Sequence, residues 1–272
     1  MKILVTGATG KVGQKFLDQL ICTEALNDAS AVALCHNRLL EETDRIKVVK
    51  GSIANKDTVD EAMKGVTHVV HLATCKETPN DVMDVTVKGL FWLLEACRNK
   101  PDFQQFILIG GDAAMGHFFY PHPTPVTETQ KHSAYPGCYA LSKVLEEVML
   151  EQYQIQYSLP STCLRAPWIM EKDDFKYSLS FGDDVFGGPV WKDLVPEKHA
   201  KEYQESGIIP LMQDINGKAI KRNFIHVDDL VKAIIQAILL PDKSNGHTFN
   251  ISMDSPCLLY TSPSPRDLST SR

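Results

Sequence analysis

Tyr139 and Lys143 stand four residues apart in a stretch with helical spacing, Gly137 to Tyr153, so both lie on one face of that helix. A phenol with an ordinary pKa near ~10 is a poor base at neutral pH. An ammonium held beside it favours the phenolate. Such a pair can take a proton from an alcohol or return one to a carbonyl. Asp112, just past a short apolar run, reads by itself as a turn carboxylate bonded to nearby N–H groups.

A second constellation is built to bind. Thr6-Gly7-Ala8-Thr9-Gly10-Lys11-Val12-Gly13 follows an apolar run, Lys2–Thr6, and opens an amphipathic stretch, Lys11–Cys22. Gly7 permits a tight turn, Gly10 lets the backbone approach a pyrophosphate, and Gly13 lets a helix pack close to the sheet. The helix N-terminus adds free N–H groups and a positive dipole end. A strand before and a helix after turn this three-glycine spacing into a dinucleotide cradle for NAD or NADP. The next apolar run ends Ala33-Leu34-Cys35-His36-Asn37-Arg38, with no acidic residue to bind ribose hydroxyls. His36 or Arg38, assisted by Lys11, suits a ribose phosphate, so the reading leans weakly to NADP.

The elements that must carry these groups alternate. Lys2–Thr6, Ala31–Cys35, Ile46–Lys50, Thr67–Leu72, Phe106–Ile109 and Thr162–Leu164 read as strands, and Lys11–Cys22, Lys56–Met63, Asp81–Asn99 and Gly137–Tyr153 as helices. That order predicts an α/β fold, a Rossmann doubly wound parallel sheet with helices on both faces. From Asp173 to Asn223 the regularity fades, with a helical candidate at Leu194–Glu205 and a hairpin of Ile208–Met212 with Lys218–Arg222. Val227–Leu240 then reads as a helix and His247–Ile251 as a strand. The expected organisation is a core over 1–165 and a smaller substrate lobe over 166–256, with core elements returning at about 223–251. The lobe is expected over the carboxyl ends of the strands, where doubly wound folds bind ligands. Cys257 to Asp267 is similar, residue for residue, to the conceptual translation of a transposase-type sequencing adapter. Residues 257–272 are therefore expected to be a non-native tail, with a natural C-terminal portion missing.

Composition narrows the function classes. A chain of 272 residues, 43% hydrophobic, can bury a large core. A net charge of −6 without a long basic run argues against nucleic acid and anionic membranes as partners. No apolar stretch reaches the roughly 20 residues that span a bilayer. The first residues run straight into a strand, without signal-peptide order. Seven cysteines scattered as singles suit free thiols in a reducing cytoplasm, with Cys22, Cys97 and Cys163 expected in the core. His117, His122 and His132 flank an aromatic loop, but their spacing matches no ligand pattern and no metal is expected. Asp183 and Asp184 either line a substrate pocket or turn a loop. His71 reads as a strand-end residue near the cofactor.

The glycine spacing resembles that of the extended short-chain dehydrogenase/reductase family, of the NAD-dependent epimerase/dehydratase type. Further blocks are similar in order: Gly51-Ser52-Ile53, where Ser52 replaces the family's adenine-contacting Asp; His71-Leu72-Ala73-Thr74; Val85 to Gly89; Tyr139 to Lys143; and Arg222 to Asp229. The resemblance implies that Ser52, Ile53, Leu72, Ala73 and Thr74 line the cofactor. It implies that Lys143 also holds the nicotinamide ribose, and that Tyr139 is the acid/base of a hydride transfer. The family's Ser/Thr position falls on Gly111, which has no hydroxyl, leaving Asp112, Thr74, a backbone N–H or water to orient the reacting oxygen. Arg222 matches an arginine that grips the diphosphate of nucleotide sugars, while Trp168 stands near the place of a family Asn. The implied activity is an NAD(P)-dependent oxidoreductase or epimerase acting on a sugar or other hydroxyl/carbonyl compound. The implied assembly is a homodimer through Asp81–Asn99 and Gly137–Tyr153. The alternative is a dinucleotide-binding sensor with little turnover, which Gly111 favours.

Overall fold

The computed structural model describes residues 1–116, 125–172, 174, 195–206, 213, 216–254 and 257–258. The chain divides into two compact units: Met1–Pro167 with Val227–Ile251, and Trp168–His226 with Ser252–Arg272. The strands are β1 (Lys2–Thr6), β2 (Ser30–Cys35), β3 (Ile46–Lys50), β4 (His68–His71), β5 (Gln105–Gly111), β6 (Ser161–Ala166), β7 (Trp168–Met170), β8 (Lys221–Arg222), β9 (Phe224–His226), β10 (His247–Asn250) and β11 (Cys257–Leu258). The helices are α1 (Lys11–Cys22), α2 (Lys56–Ala62), α3 (Pro79–Asp81), α4 (Gly89–Arg98), α5 (Cys138–Tyr157), α6 (Glu197–Ser206), α7 (Val227–Leu239) and α8 (Pro241–Ser244).

The first unit holds a seven-stranded sheet in the order β10-β6-β5-β4-β1-β2-β3. Every neighbouring pair is parallel. From β1 the chain moves outward through β2 and β3, then crosses back to place β4 on the other side of β1. The carboxyl ends of β1 and β4 therefore flank the point where the order reverses, the ligand crevice of doubly wound sheets. The interior of β1 is apolar and fully buried (Ile3, Leu4, Val5), as a parallel strand covered on both faces must be. Leu4, Val69, Phe106 and Leu108 belong to a core cluster with Val59 of α2, Leu90, Leu93 and Leu94 of α4, and Leu150 of α5. Helix α1 buries Gly13, Phe16, Leu17 and Leu20, a stripe at helical spacing. It packs against α7, and Lys15 Nζ meets Asp228 Oδ1 at 2.9 Å.

The returning segment is tied into this sheet by polar as well as apolar contacts. Gln105, fully buried at the start of β5, donates its amide to Thr162 Oγ1 (3.1 Å), the Ala237 carbonyl (3.1 Å) and Ser244 Oγ (2.9 Å). Strand β10 then pairs with β6.

Three expectations are corrected. The helix expected over Asp81–Asn99 is broken into α3, a π-helical stretch Val82–Lys88, and α4. The wider turns set the register in which Gly89, rather than a bulkier neighbour, faces Ile53; a Cβ on Gly89 would lie 2.7 Å from Ile53 Cγ2. Helix α5 continues to Tyr157 instead of ending at Tyr153, and closes on Ser158 in the left-handed region, φ 52°. Cys97 and Cys163 are buried, but Cys22 is exposed, because it lies off the buried stripe at the last residue of α1.

In the second unit β7 pairs in parallel with β9, and β8 pairs antiparallel with β11. Gln213 bridges Ala219 antiparallel, a chain reversal at the place of the expected hairpin. Ile208–Met212, Leu194, His117, His122, Asp183 and Asp184 lie outside the described residues.

Candidate active site

The cradle follows β1 as a tight turn that only glycine fits at two points. Gly7 has φ +65°, and a Cβ there would meet the Ala73 nitrogen at 2.9 Å. A Cβ on Gly13 would lie 2.5 Å from the Gly7 carbonyl oxygen and 2.7 Å from Ala8 Cα. Gly10 caps α1 in an extended conformation, and no side-chain cap bond is made at this helix start. A cradle of this shape, at the start of a 12-residue helix, fits a pyrophosphate. The Thr9 carbonyl accepts from Gln14 Nε2 (2.7 Å) and from Arg38 Nη2 (2.8 Å), which draws the Arg38 guanidinium to the mouth of the loop. His36 is exposed; Lys11, Val12 and Ser52 are half-buried. Ser52 Oγ accepts from the Ala54 N–H (3.2 Å), whereas the Ile53 side chain is buried in the core against Gly89. Leu72 and Ala73 reach the crevice with their backbone: both N–H groups donate to Thr6 Oγ1, at 3.1 and 3.2 Å. Thr74, next along, is exposed.

Tyr139 and Lys143 sit in the first turns of α5. The Glu77 carboxylate caps that helix, accepting from the N–H groups of Cys138 (3.0 Å) and Tyr139 (3.4 Å). Lys143 Nζ lies 5.8 Å from the centroid of the Tyr139 ring and 3.4 Å from the Ile109 carbonyl oxygen of β5. Its ammonium also meets Glu146 Oε2 at 2.8 Å. Burial by itself pushes the Lys143 pKa down, but the Glu146 carboxylate and Tyr139 outweigh it and hold the value above that of an ordinary lysine. Gly111 ends β5 against this lysine: a Cβ there would stand 3.6 Å from Lys143 Cγ and Cδ, an ordinary contact. A Cβ is therefore sterically admissible at the Gly111 position. Asp112 opens the 3₁₀ turn Asp112–Met115, which Ser133 secures by donating Oγ–H to the Met115 carbonyl (2.7 Å) and its N–H to the Ala114 carbonyl (2.9 Å).

Behind the pair lies a polar cluster absent from the sequence reading. Thr6 Oγ1 accepts from two N–H groups, so its own proton goes to His71 Nδ1, 2.8 Å away. The other ring nitrogen of His71 faces Glu146 Oε1 at 3.7 Å. The next residue, Glu147, receives a fork from Arg165 (Nε to Oε1 3.0 Å, Nη2 to Oε2 2.7 Å) and His132 Nε2 at 2.8 Å. Burial pushes the Glu147 pKa up, yet His132 and Arg165 hold it below the ordinary glutamate value. His132 is thus committed to a carboxylate, and among the described residues no group of three His, Cys, Asp or Glu could hold a metal ion. The one sequence signal for the cluster is the placing of Glu146 and Glu147 three and four residues after Lys143 on a helix.

The structure thus brings Gly7–Gly13, Leu72, Ala73, Gly111, Asp112, Tyr139 and Lys143 to the carboxyl ends of β1, β4 and β5. In the second unit the Arg222 guanidinium stacks on Trp168, its Cζ 3.5 Å from the ring centroid. No helix among the described residues is long and apolar enough to cross a membrane.

A family model described as the NAD dependent epimerase/dehydratase family matches residues 3–170. UDP-glucuronate 4-epimerase 4 of Arabidopsis thaliana is 26% identical over 265 residues, covering 90% of this chain and 55% of that protein. The chain spans about half the length of the Arabidopsis relatives it matches. Two solved structures share the fold. One is a short-chain dehydrogenase/reductase superfamily protein from Agrobacterium tumefaciens with bound NAD (TM-score 0.75, 22% identity, 95% of this chain and 80% of that one). The other is UDP-glucuronic acid 4-epimerase from Bacillus cereus in complex with UDP-glucuronic acid and NAD (TM-score 0.71, 19% identity, 95% and 80%).

Proposed function

Because the chain belongs to the NAD-dependent epimerase/dehydratase family, we propose that it binds NAD or NADP on the Gly7–Gly13 cradle and oxidises or epimerises a hydroxyl-bearing carbon of a nucleotide sugar. The observation that carries this reading is the Lys143 ammonium, 5.8 Å from the Tyr139 ring and lying against the end of β5, at the same sheet edge as the cradle. A bound nicotinamide would supply a hydride acceptor and donor for the carbinol carbon. Tyr139 takes the hydroxyl proton as the carbonyl forms and gives it back on reduction. Lys143 favours the phenolate and holds the nicotinamide ribose. Leu72, Ala73, Thr74, Ser52 and Ile53 line the cofactor, Ile53 through its backbone. Gly111 supplies no hydroxyl, so Asp112 or Thr74 orients the reacting oxygen. Arg222, flat on Trp168, suits the sugar's diphosphate. Arg38, drawn to the loop mouth by Thr9, together with His36 and Lys11, supports the lean to NADP. The described cysteines are free thiols, which suits a reducing cytoplasm.

The test is direct. Incubation with NAD or NADP and UDP-glucuronic acid or UDP-glucose is expected to give the 4-epimer or an oxidised sugar, read by chromatography. NADP is expected to bind more tightly than NAD, and Arg38→Ala to remove about tenfold of that difference. Failure to bind either cofactor overturns the reading; equal binding of both overturns the NADP part alone. A second reading, a dinucleotide sensor with little turnover, is favoured by Gly111, which brings no hydroxyl to the end of β5. It predicts cofactor binding without product.

We also propose a homodimer through α4 and α5. Leu141, Val148 and Ile155 are exposed at seven-residue intervals along α5, and Phe91 is exposed on α4. Sedimentation is expected to show a dimer that Val148→Glu converts to a monomer; a monomeric parent protein sinks the idea.

A further inference from the structure

Lys143 is buried, and buried ammonium groups lose their proton readily unless an anion is held against them. The groups around it can be followed element by element. On α5 they are Tyr139, one turn before, and Glu146, whose carboxylate is 2.8 Å away. From β5 comes the Ile109 carbonyl at 3.4 Å, and from β6 the buried Cys163, whose thiol is pushed above its ordinary value by burial. Glu147 is the other nearby carboxylate on α5, but Arg165 and His132 already occupy its two oxygens. From β4, His71 turns toward Glu146, and its second nitrogen is fixed by Thr6, the residue that leads into the glycine cradle. Glu146 is fully buried, and among the described residues Lys143 is the charged side chain paired with it, while the His71 ring lies 3.7 Å from its other oxygen.

We propose that Glu146 is a positioning residue for the Tyr139–Lys143 pair, holding Lys143 as an ammonium ion aimed at the end of β5, with the His71 ring, fixed by Thr6, packed behind the carboxylate. The proposal rests on the catalytic reading of Tyr139 and Lys143 only for its consequence in turnover. The charge state of Lys143 is a property of the protein by itself. Glu146 touches neither cofactor nor substrate in this account. It acts through Lys143, and it sets how far above neutral pH that lysine remains charged.

The experiment compares the parent protein with Glu146→Gln and Glu146→Asp. The proton on Lys143 is read from its side-chain ¹³Cε and ¹⁵Nζ chemical shifts, assigned with Lys143→Met. In the parent these shifts are expected to stay flat through the neutral range. In Glu146→Gln the ammonium is expected to titrate about two or more pH units lower, as buried lysines without a counter-ion do. Glu146→Asp, which retains the charge, is expected to restore most of the difference. If Glu146→Gln does not fold, the smaller neutral variant Glu146→Ser, which admits water, carries the same measurement. Unchanged Lys143 shifts in a folded neutral variant overturn the proposal. So does an Asp variant that behaves like Gln. Where the parent turns over a UDP-sugar, the alkaline limit of kcat is expected to move down with the lysine, with KM changed by less than about threefold. Absence of turnover in the parent counts against the proposed function, and the lysine titration still decides the role of Glu146.

Discussion

Replacing Tyr139 with Phe is expected to lower turnover by about three orders of magnitude, the usual contribution of a positioned acid/base. Cofactor affinity is expected to stay within about threefold of the parent. The phenyl ring keeps the packing at the start of α5, and the helix cap by Glu77 uses the Tyr139 backbone rather than its hydroxyl. What is removed is one oxygen, next to a lysine whose ammonium lies 5.8 Å from the ring. Steady-state rates with the UDP-sugar that the parent converts, together with a fluorescence titration of the reduced cofactor, check both halves. A variant that still turns over at the parent rate sinks Tyr139 as the acid/base. A parent whose own rate is already negligible, with intact binding, moves the balance to the sensor reading.

Placing a methyl group on Gly13 is the second change with a large expected effect. In an ordinary helix, Gly→Ala stabilises by about 1 kcal/mol. Here the new Cβ would stand 2.5 Å from the Gly7 carbonyl oxygen and 2.7 Å from Ala8 Cα, both backbone atoms that cannot swing aside. Overpacking of that kind costs about 1–3 kcal/mol and outweighs the helix gain. Relief comes from pulling the first turn of α1 away from β1, which moves the N–H groups that would face a pyrophosphate under the proposed function. Gly13→Ala is therefore expected to weaken cofactor binding by on the order of a hundredfold, equivalent to about 2.7 kcal/mol. It is also expected to lower the melting temperature by several degrees. Titration of the variant with NAD and NADP reads the first effect and thermal unfolding the second. Parent-like affinity for both cofactors means that phosphates do not sit on this turn.

What the sequence disclosed, and what it hid, follows from the range of the interactions concerned. The order of the six leading strands and the cradle were legible because each is written in a short window: an apolar run, three glycines, a helical stripe. The Tyr139–Lys143 spacing was legible for the same reason, and so was the place of Gly111. Thr6, His71 and Glu146 were not, because they come from three elements and meet only when β1 and β4 are paired and α5 lies over them. The placing of Glu146 three residues after Lys143 is the one local sign, and it fits a solvated helix face equally well; its burial is decided by the packing of α5. The π-helical turns of Val82–Lys88 were not legible because apolar periodicity tolerates one slipped residue, and Ile53, which packs against Gly89 at their end, lies far away in sequence. Cys22 misled because an apolar neighbourhood in sequence does not choose a side of the helix.

The excursion between Pro167 and Val227 has a consequence for how such a chain can change over evolutionary time. Gln105 and the pairing of β10 with β6 fasten the returning segment into the sheet, so the sheet meets Trp168–His226 as a single closed loop. Closure entropy grows only with the logarithm of length, so doubling such a loop costs about 0.6 kcal/mol. Residues there, Trp168 and Arg222 among them, can be lengthened, shortened or replaced while the nucleotide-binding sheet keeps its stability. Under the proposed function, new ligand preferences would arise in this stretch without the Gly7–Gly13 turn having to change.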